Sequence, residues 1–234
     1  MKAKAIERLT LGRIVKNAAH LCTVSYTTKM DLLKRFHSLD PARVTPIFSG
    51  PTFDDTTHGI PDGQTIICIA TLSPRKNQER LIEAYAALPS SLREHYRLVL
   101  VGNRGWKDAS ILSRIEQTEG VEWKQYLPDT DCRELLCRAT ILAFPSLYEG
   151  FGMPVLDAFR LGVPILTSDR GSLKEVADDA AIFVDPESVA SIASGLERIL
   201  TDAKLRQSFI TKGLDRATQF TWPKTVDLFL EAIG

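Results

Sequence analysis

The chain has 234 residues, 44% of them apolar and 25% charged, with 29 basic and 29 acidic side chains and no net charge. It is long enough to bury one large core or two small ones, and the even charge balance gives no electrostatic ground for a nucleic-acid partner. Met1 to Arg13 is too charged for a signal peptide and no apolar run is long enough to span a bilayer, so a reduced, cytoplasmic protein is expected.

In chain order, residues 21–25 read as a strand, 27–36 as a helix and 44–48 as a second strand. Ser49-Gly50-Pro51-Thr52-Phe53-Asp54-Asp55 and residues 56–63, rich in Thr, Gly, Pro and Asp, read as a linker. Two strands and a helix make a poor domain on their own. Residues 1–62 are therefore expected to be the remnant of a preceding domain plus its linker, and 63–234 a domain of their own.

From there β-rich runs alternate with amphipathic ones. Strands are expected at 66–70, 97–102, 121–127, 141–144, 163–167 and 181–184, and helices at 77–88, 109–117, 131–139, 153–161 and 173–177. Strands joined by helices of this length need right-handed crossovers, which predicts a doubly wound, mostly parallel α/β sheet covered on both faces. Residues 188–200, 204–217 and 223–233 read as helices with no strand between them, and Trp222-Pro223 suits a helix start.

Cys22 and Cys68 lie in apolar runs, where a thiol behaves as a small hydrophobe, and Cys132 and Cys137 lack metal-site spacing. Asp129-Thr130-Asp131 has the form of a divalent-metal binder, yet it stands just before a helix, where an Asp most simply caps free N–H groups; no metal site is expected. His20, His37, His58 and His95 lie in no catalytic setting, and His58 is expected to face solvent from the linker. Lys29, Lys34 and Arg35 beside Phe36 fit the polar face of an amphipathic helix, with peripheral membrane contact as the alternative.

The most informative segment runs from Phe144 to Phe159, leaving a buried strand, crossing a glycine-containing turn and entering a helix. Ligands of open α/β sheets bind at the carboxyl ends of the strands, where this turn must sit. Gly150 and Gly152 permit close backbone approach, and free N–H groups at the helix start favour an anion. Carboxylates before the helix (Glu149) and on its second turn (Asp157) suit a hydroxyl-rich ligand, since they accept hydrogen bonds from sugar OH groups. A tight turn with a capping Glu explains the spacing alone equally well.

Glu149-Gly-Phe-Gly-Met-Pro-Val-Leu-Asp157 resembles the E-x7-E motif of retaining GT-B glycosyltransferases, in particular the large family 4. The resemblance continues through Pro164-Ile-Leu-Thr-Ser-Asp-Arg-Gly-Ser-Leu-Lys-Glu175, Ala180-Ala181 and Asp185-Pro186. Upstream it takes in Ala70-Thr-Leu-Ser-Pro-Arg-Lys-Asn77 and Val101-Gly102, and Val24-Ser25 with residues 47–50 is similar to the closing elements of that family's N-terminal domain.

The resemblance implies that Glu149 contacts the donor sugar and that Asp157, standing where the family has Glu, holds the ribose hydroxyls with a shorter arm. Gly150, Phe151 and Gly152 would offer N–H groups to the donor. Lys76 would pair with the diphosphate and stabilise the leaving group. Arg75 would stand in for a family arginine that is absent at Thr71, the bland alternative for both being a solvated charge pair before a helix. Gly102 is either room for the nucleotide or an ordinary strand-to-loop glycine, and Tyr126 either borders the base or sits in the core. The implied ligand is a nucleoside diphosphate sugar bound without a metal. Pro74-Arg75-Lys76-Asn77 is similar to members that use GDP-mannose in surface polysaccharide assembly, on a saccharide or lipid-linked saccharide acceptor at the inner face of a membrane.

In such enzymes the acceptor site lies largely in the N-terminal domain, so this chain is expected to bind donor and turn over poorly unless that domain, or a separate chain, completes it. The rival expectation is a non-catalytic nucleotide-sugar-binding subunit. A nicotinamide-dependent oxidoreductase is disfavoured, because Thr71-Leu-Ser-Pro-Arg-Lys stands where Gly-x-Gly-x-x-Gly would follow the first main strand.

Overall fold

The computed structural model describes residues 2–53 and 59–234, with side chains described from residue 10 onward apart from that of Ile233; the expectation for His58 lies outside the described residues. Six strands make the central sheet: Thr65–Ile69 (β3), Arg97–Val101 (β4), Val121–Lys124 (β5), Ile141–Phe144 (β6), Ile165–Ser168 (β7) and Ile182–Val184 (β8). All neighbours are parallel and the order is β5-β4-β3-β6-β7-β8. The expected doubly wound α/β fold is what the chain forms.

The physical origin is the patterning of the strands. β6 and β7 are buried at every position, as strands covered by helices on both faces must be. Ile67, Val99, Leu142 and Phe144 point into one core, with Gln78–Ala86 (α3) and Ala109–Gln117 (α5) on the opposite side of the sheet. That first core is closed by Asp129–Arg138 (α6), Met153–Arg160 (α7) and Leu173–Ala177 (α8). Ile66, Cys68, Leu98, Leu100, Ile141 and Ala143 point the other way, onto α3, α5 and Val189–Thr201 (α9). Ala203–Ala217 (α10) then packs back against α7 and α9. Burial of Cys68 pushes its thiol up to about 12, which leaves it an inert core residue.

β3 lies between β4 and β6, so the chain reverses its direction of winding there. The loops that leave β3 and β6 part to opposite faces at this point, which opens a crevice at the carboxyl ends of the two strands.

The N-terminal segment stands outside the main sheet. Among the described residues Leu21–Thr23 (β1) pairs only with Val44–Pro46 (β2), in parallel, with Tyr26–Arg35 (α2) as the crossover and Lys2–Asn17 (α1) in front. Val15, Leu39 and Val44 form a small core there. The last helix, Trp222–Ile233 (α11), returns to this segment: Trp222 Nε1 donates to Pro51 O at 2.9 Å and Thr225 Oγ1 to Phe48 O at 2.6 Å.

α1 and the short helix Ser90–His95 (α4) are elements that apolar patterning does not announce. Several expected boundaries also move by one to three residues, among them those that flank Tyr126. The strand expected over 121–127 ends at Lys124, and α6 begins at Asp129 with Pro128 at its cap position. Asp129 and Asp131 therefore lie inside the first turn and not at the cap, where their charge complements the helix dipole. Among the described residues no helix is long and apolar enough to cross a membrane.

Candidate functional site

The loop leaving β3 is built to turn sharply. Pro74–Lys76 makes one 3-10 turn, proline fitting its first position, and Asn77 then adopts a left-handed conformation (φ 62°) before α3 starts. The buried Gln78 side chain ties the turn down, accepting from Ser73 N and donating to Thr71 O at 3.0 Å. The loop leaving β6 runs beside it, and Leu147 N donates to Arg75 O at 2.9 Å. Gly152 caps α7 at φ 109°, and a Cβ there would stand 2.8 Å from Leu173 Cδ2, so both conformation and space call for glycine.

The two loops bring together three side chains far apart in sequence. Lys76 Nζ lies 2.7 Å from Glu149 Oε1, and Arg75 Nη1 lies 2.8 Å from Glu149 Oε2 and 2.6 Å from Tyr148 O. Glu149 is 9% exposed and Lys76 15%, against 44% for Arg75. Lys76 also sits 5.0 Å above the Phe144 ring. The cluster thus carries two cations on one carboxylate. Truncating one cation leaves Glu149 paired with the other, whereas truncating Glu149 leaves the mostly buried Lys76 without its carboxylate.

The remaining expected site residues fall in different surroundings. Gly150 lies at the face of α2, its carbonyl accepting from Thr28 Oγ1 at 3.2 Å. Phe151 is buried, its ring 6.3 Å from Phe48 and 5.8 Å from Phe220, so only its backbone is available to a ligand. Asp157 is buried, and its Oδ1 accepts the N–H of Thr52 at 2.7 Å. Burial raises its pKa, against the hydrogen bonds from Thr52 and Phe53 and the nearby Arg160. It therefore holds the segment around Thr52 in this structure. Gly102 ends β4 at φ 146°, where a Cβ would stand 2.2 Å from Ala70 O; backbone crowding alone requires glycine there. Tyr126 is 71% exposed beyond the end of β5, which removes its core alternative.

Three groups that the motifs did not single out with a role complete the surroundings. Ser172 Oγ donates to Glu149 O and Phe151 O at 3.0 and 2.8 Å, fixing the glycine turn from α8. Glu175 accepts the N–H groups of Tyr26 and Thr27 at 2.8 and 3.0 Å, joining α8 to α2. Tyr148 donates to Asp31 Oδ2 at 2.5 Å, and burial followed by that bond pushes its phenol up to about 12. The basic residues Lys29, Lys34 and Arg35 lie on α2 with Met30 and Tyr26 exposed beside them. No group of His, Cys, Asp and Glu side chains able to hold a metal occurs among the described residues.

The cation–carboxylate cluster stands at the winding reversal of a parallel α/β sheet, the place where open sheets of this kind take their ligands. The chain belongs to the glycosyl transferases group 1 family, whose model matches residues 52–216. It is 40% identical over 157 residues to O-antigen chain mannosyltransferase B of Escherichia coli, covering 66% of this chain and 41% of that protein. It is 25% identical over 199 residues to O-antigen chain mannosyltransferase RfbU of Salmonella typhimurium, covering 84% of this chain and 55% of the relative. The chain thus spans about half the length, or less, of these relatives. Among solved structures, WaaG, a glycosyltransferase involved in lipopolysaccharide biosynthesis, superposes with TM-score 0.75 at 24% identity, covering 91% of this chain and 61% of its own. Anabaena Alr3699/HepE in complex with UDP and glucose superposes with TM-score 0.83 at 17% identity, covering 97% of this chain and 66% of its own.

Proposed function

We propose that this chain supplies the nucleotide-sugar site of a retaining mannosyltransferase, moving mannose from GDP-mannose to a saccharide or lipid-linked saccharide in polysaccharide assembly. The observation that carries the proposal is the meeting of Lys76, Arg75 and Glu149 at the winding reversal of the sheet. Two cations 2.7 and 2.8 Å from one carboxylate are well placed to receive a diphosphate, whose charge grows as the sugar departs. Arg75 adds a planar fork suited to phosphate oxygens. Glu149, released from part of its ion pairing, would orient the sugar through its hydroxyls. No general-base pair is then needed; catalysis rests on positioning and charge, with the leaving diphosphate taking the acceptor proton. The preference for mannose rests on the two O-antigen mannosyltransferase relatives.

The acceptor side requires more protein than the described chain offers. β1 and β2 form a two-stranded parallel sheet, and α11 exposes Trp222, Val226, Phe229 and Leu230. Parallel pairs are stable as parts of larger, covered sheets. A further domain, in the same polypeptide or in a separate acceptor-binding chain, would cover this side; in the second case the chain is a donor-binding subunit without turnover of its own.

Calorimetric titration with GDP, UDP and ADP, with and without magnesium, tests the proposal. GDP binding that is indifferent to magnesium and weakened about tenfold or more by Lys76→Ala is expected, tenfold being about 1.4 kcal/mol. Absence of binding by the folded chain would contradict it.

A further inference from the structure

Asn77 is a polar residue buried to 2% exposure at the centre of the loops that form the crevice. Its φ of 62° places it in the left-handed region, where glycine is the default and asparagine one of few alternatives. What asparagine adds over glycine is the side-chain amide, and that amide is fully used. Nδ2 donates to Pro145 O at 2.9 Å and to Pro186 O at 2.7 Å, while Oδ1 accepts from Arg80 Nη1 at 3.0 Å. Pro145 opens the loop that carries Glu149, and Pro186 lies in the connection from β8 to α9. Asn77 follows Lys76 directly in the chain. One amide therefore ties together three strand-end loops, and two of them carry the halves of the Lys76–Glu149 pair.

Both tied carbonyls belong to prolines, whose ring fixes φ, so the tie transmits position with little slack. Besides this tie, the two loops meet through Leu147 N and Arg75 O and through the Lys76–Glu149 contact itself, and holding a flexible four-carbon stem in that contact is costly in side-chain entropy. We propose that Asn77 is a positioning residue: its amide sets the loop bearing Lys76 against the loop bearing Glu149, and so fixes where the ammonium group stands at the anion site. This assignment presupposes, for its effect on ligand, the donor site proposed above.

The test uses the full chain with Lys76→Ala, Asn77→Gly and the double variant, titrated with GDP; glycine keeps the left-handed backbone and removes only the amide. Asn77→Gly is expected to weaken GDP binding about tenfold, and the double variant to bind no more than about twofold worse than Lys76→Ala alone, because two members of one unit are not additive. Unchanged GDP affinity in folded Asn77→Gly, or losses that multiply, would overturn the assignment, since a residue that only stabilises the fold acts independently of Lys76. A ligand-free arm separates this from the donor proposal. The coupling between Lys76→Ala and Glu149→Ala in urea unfolding should be lost when Asn77→Gly is present, and its persistence would overturn the assignment even where no nucleotide binds. Should Asn77→Gly fail to fold, Arg80→Ala, which frees the amide from its outer partner alone, must reduce the same coupling; an undiminished coupling counts against the assignment.

Discussion

Glu175 grips Tyr26 across 149 residues of chain: the carboxylate accepts the Tyr26 N–H at 2.8 Å, and the neighbouring Thr27 N–H and hydroxyl at 3.0 Å each. A carboxylate at the first turn of α2 satisfies N–H groups that the helix cannot pair itself and complements its dipole. The same turn reaches the glycine loop, Thr28 Oγ1 donating to Gly150 O. α8 thereby holds the N-terminal segment over the site.

Glu175→Ala should lower the unfolding free energy by about 1–3 kcal/mol, the usual cost of removing hydrogen bonds to a charged group. The local signature is faster hydrogen exchange at the Tyr26 and Thr27 amides, with the strands of the main sheet unchanged. Uniformly faster exchange through the sheet would show that Glu175 serves the fold at large instead of α2.

Glu149 competes with any phosphate for Lys76 and Arg75. Its removal should leave GDP affinity equal or higher, while the additional affinity contributed by the mannose of GDP-mannose disappears. Calorimetry with both ligands on Glu149→Ala reads the two effects separately. Loss of GDP binding together with that of GDP-mannose would argue that Glu149 only holds the cations in place.

Asp157 is buried and its pKa is raised, so folding favours its protonated form. A raised carboxyl pKa means that this group's contribution to stability diminishes as pH rises from the ordinary carboxyl value of 3.8 through the folded value, and above that it opposes folding. Asp157→Asn keeps an acceptor for Thr52 N without the buried charge, and should be at least as stable as the parent at pH 7. Asp157→Ala, which leaves the Thr52 amide unpaired, should cost about 1–3 kcal/mol. Urea unfolding across pH checks both, and a marked loss in Asp157→Asn would contradict the assigned balance of burial and bonding.

Gly102→Ala should be among the most damaging single changes in the domain. A Cβ would meet Ala70 O at 2.2 Å on a backbone with φ 146°, so the β3–β4 exit must move apart. A loss of about 3 kcal/mol or more is expected from thermal or urea unfolding. A mild effect would show that the two strand ends separate easily.

Much of this architecture is legible from local pattern. Residues 141–144, 109–117 and 173–177 form the strand and helices expected there, bounded by the signals that stop them. α1 escaped because charged residues interrupt its apolar positions, and its placement comes from Val15 meeting Leu39 and Val44 far along the chain. β5 ends at Lys124 and Tyr126 beyond it stands exposed, although the alternation of Val121, Trp123 and Tyr126-Leu127 with polar residues reads as one longer strand. At the site, the motif announced Lys76 and Glu149 separately, but their contact spans 73 residues and belongs to the sheet order. Asn77, Ser172 and Glu175 acquire roles only from partners brought by the fold, so no spacing rule could mark them.

The most direct measurement is a crystal structure of the chain grown with GDP-mannose. The diphosphate is predicted within hydrogen-bond reach of Lys76 Nζ and the Arg75 guanidinium, with the mannose against Glu149. Nucleotide found elsewhere, for example in the cavity between Ile60, Arg133 and Cys137, with the Lys76–Glu149 pair undisturbed, would contradict the donor site.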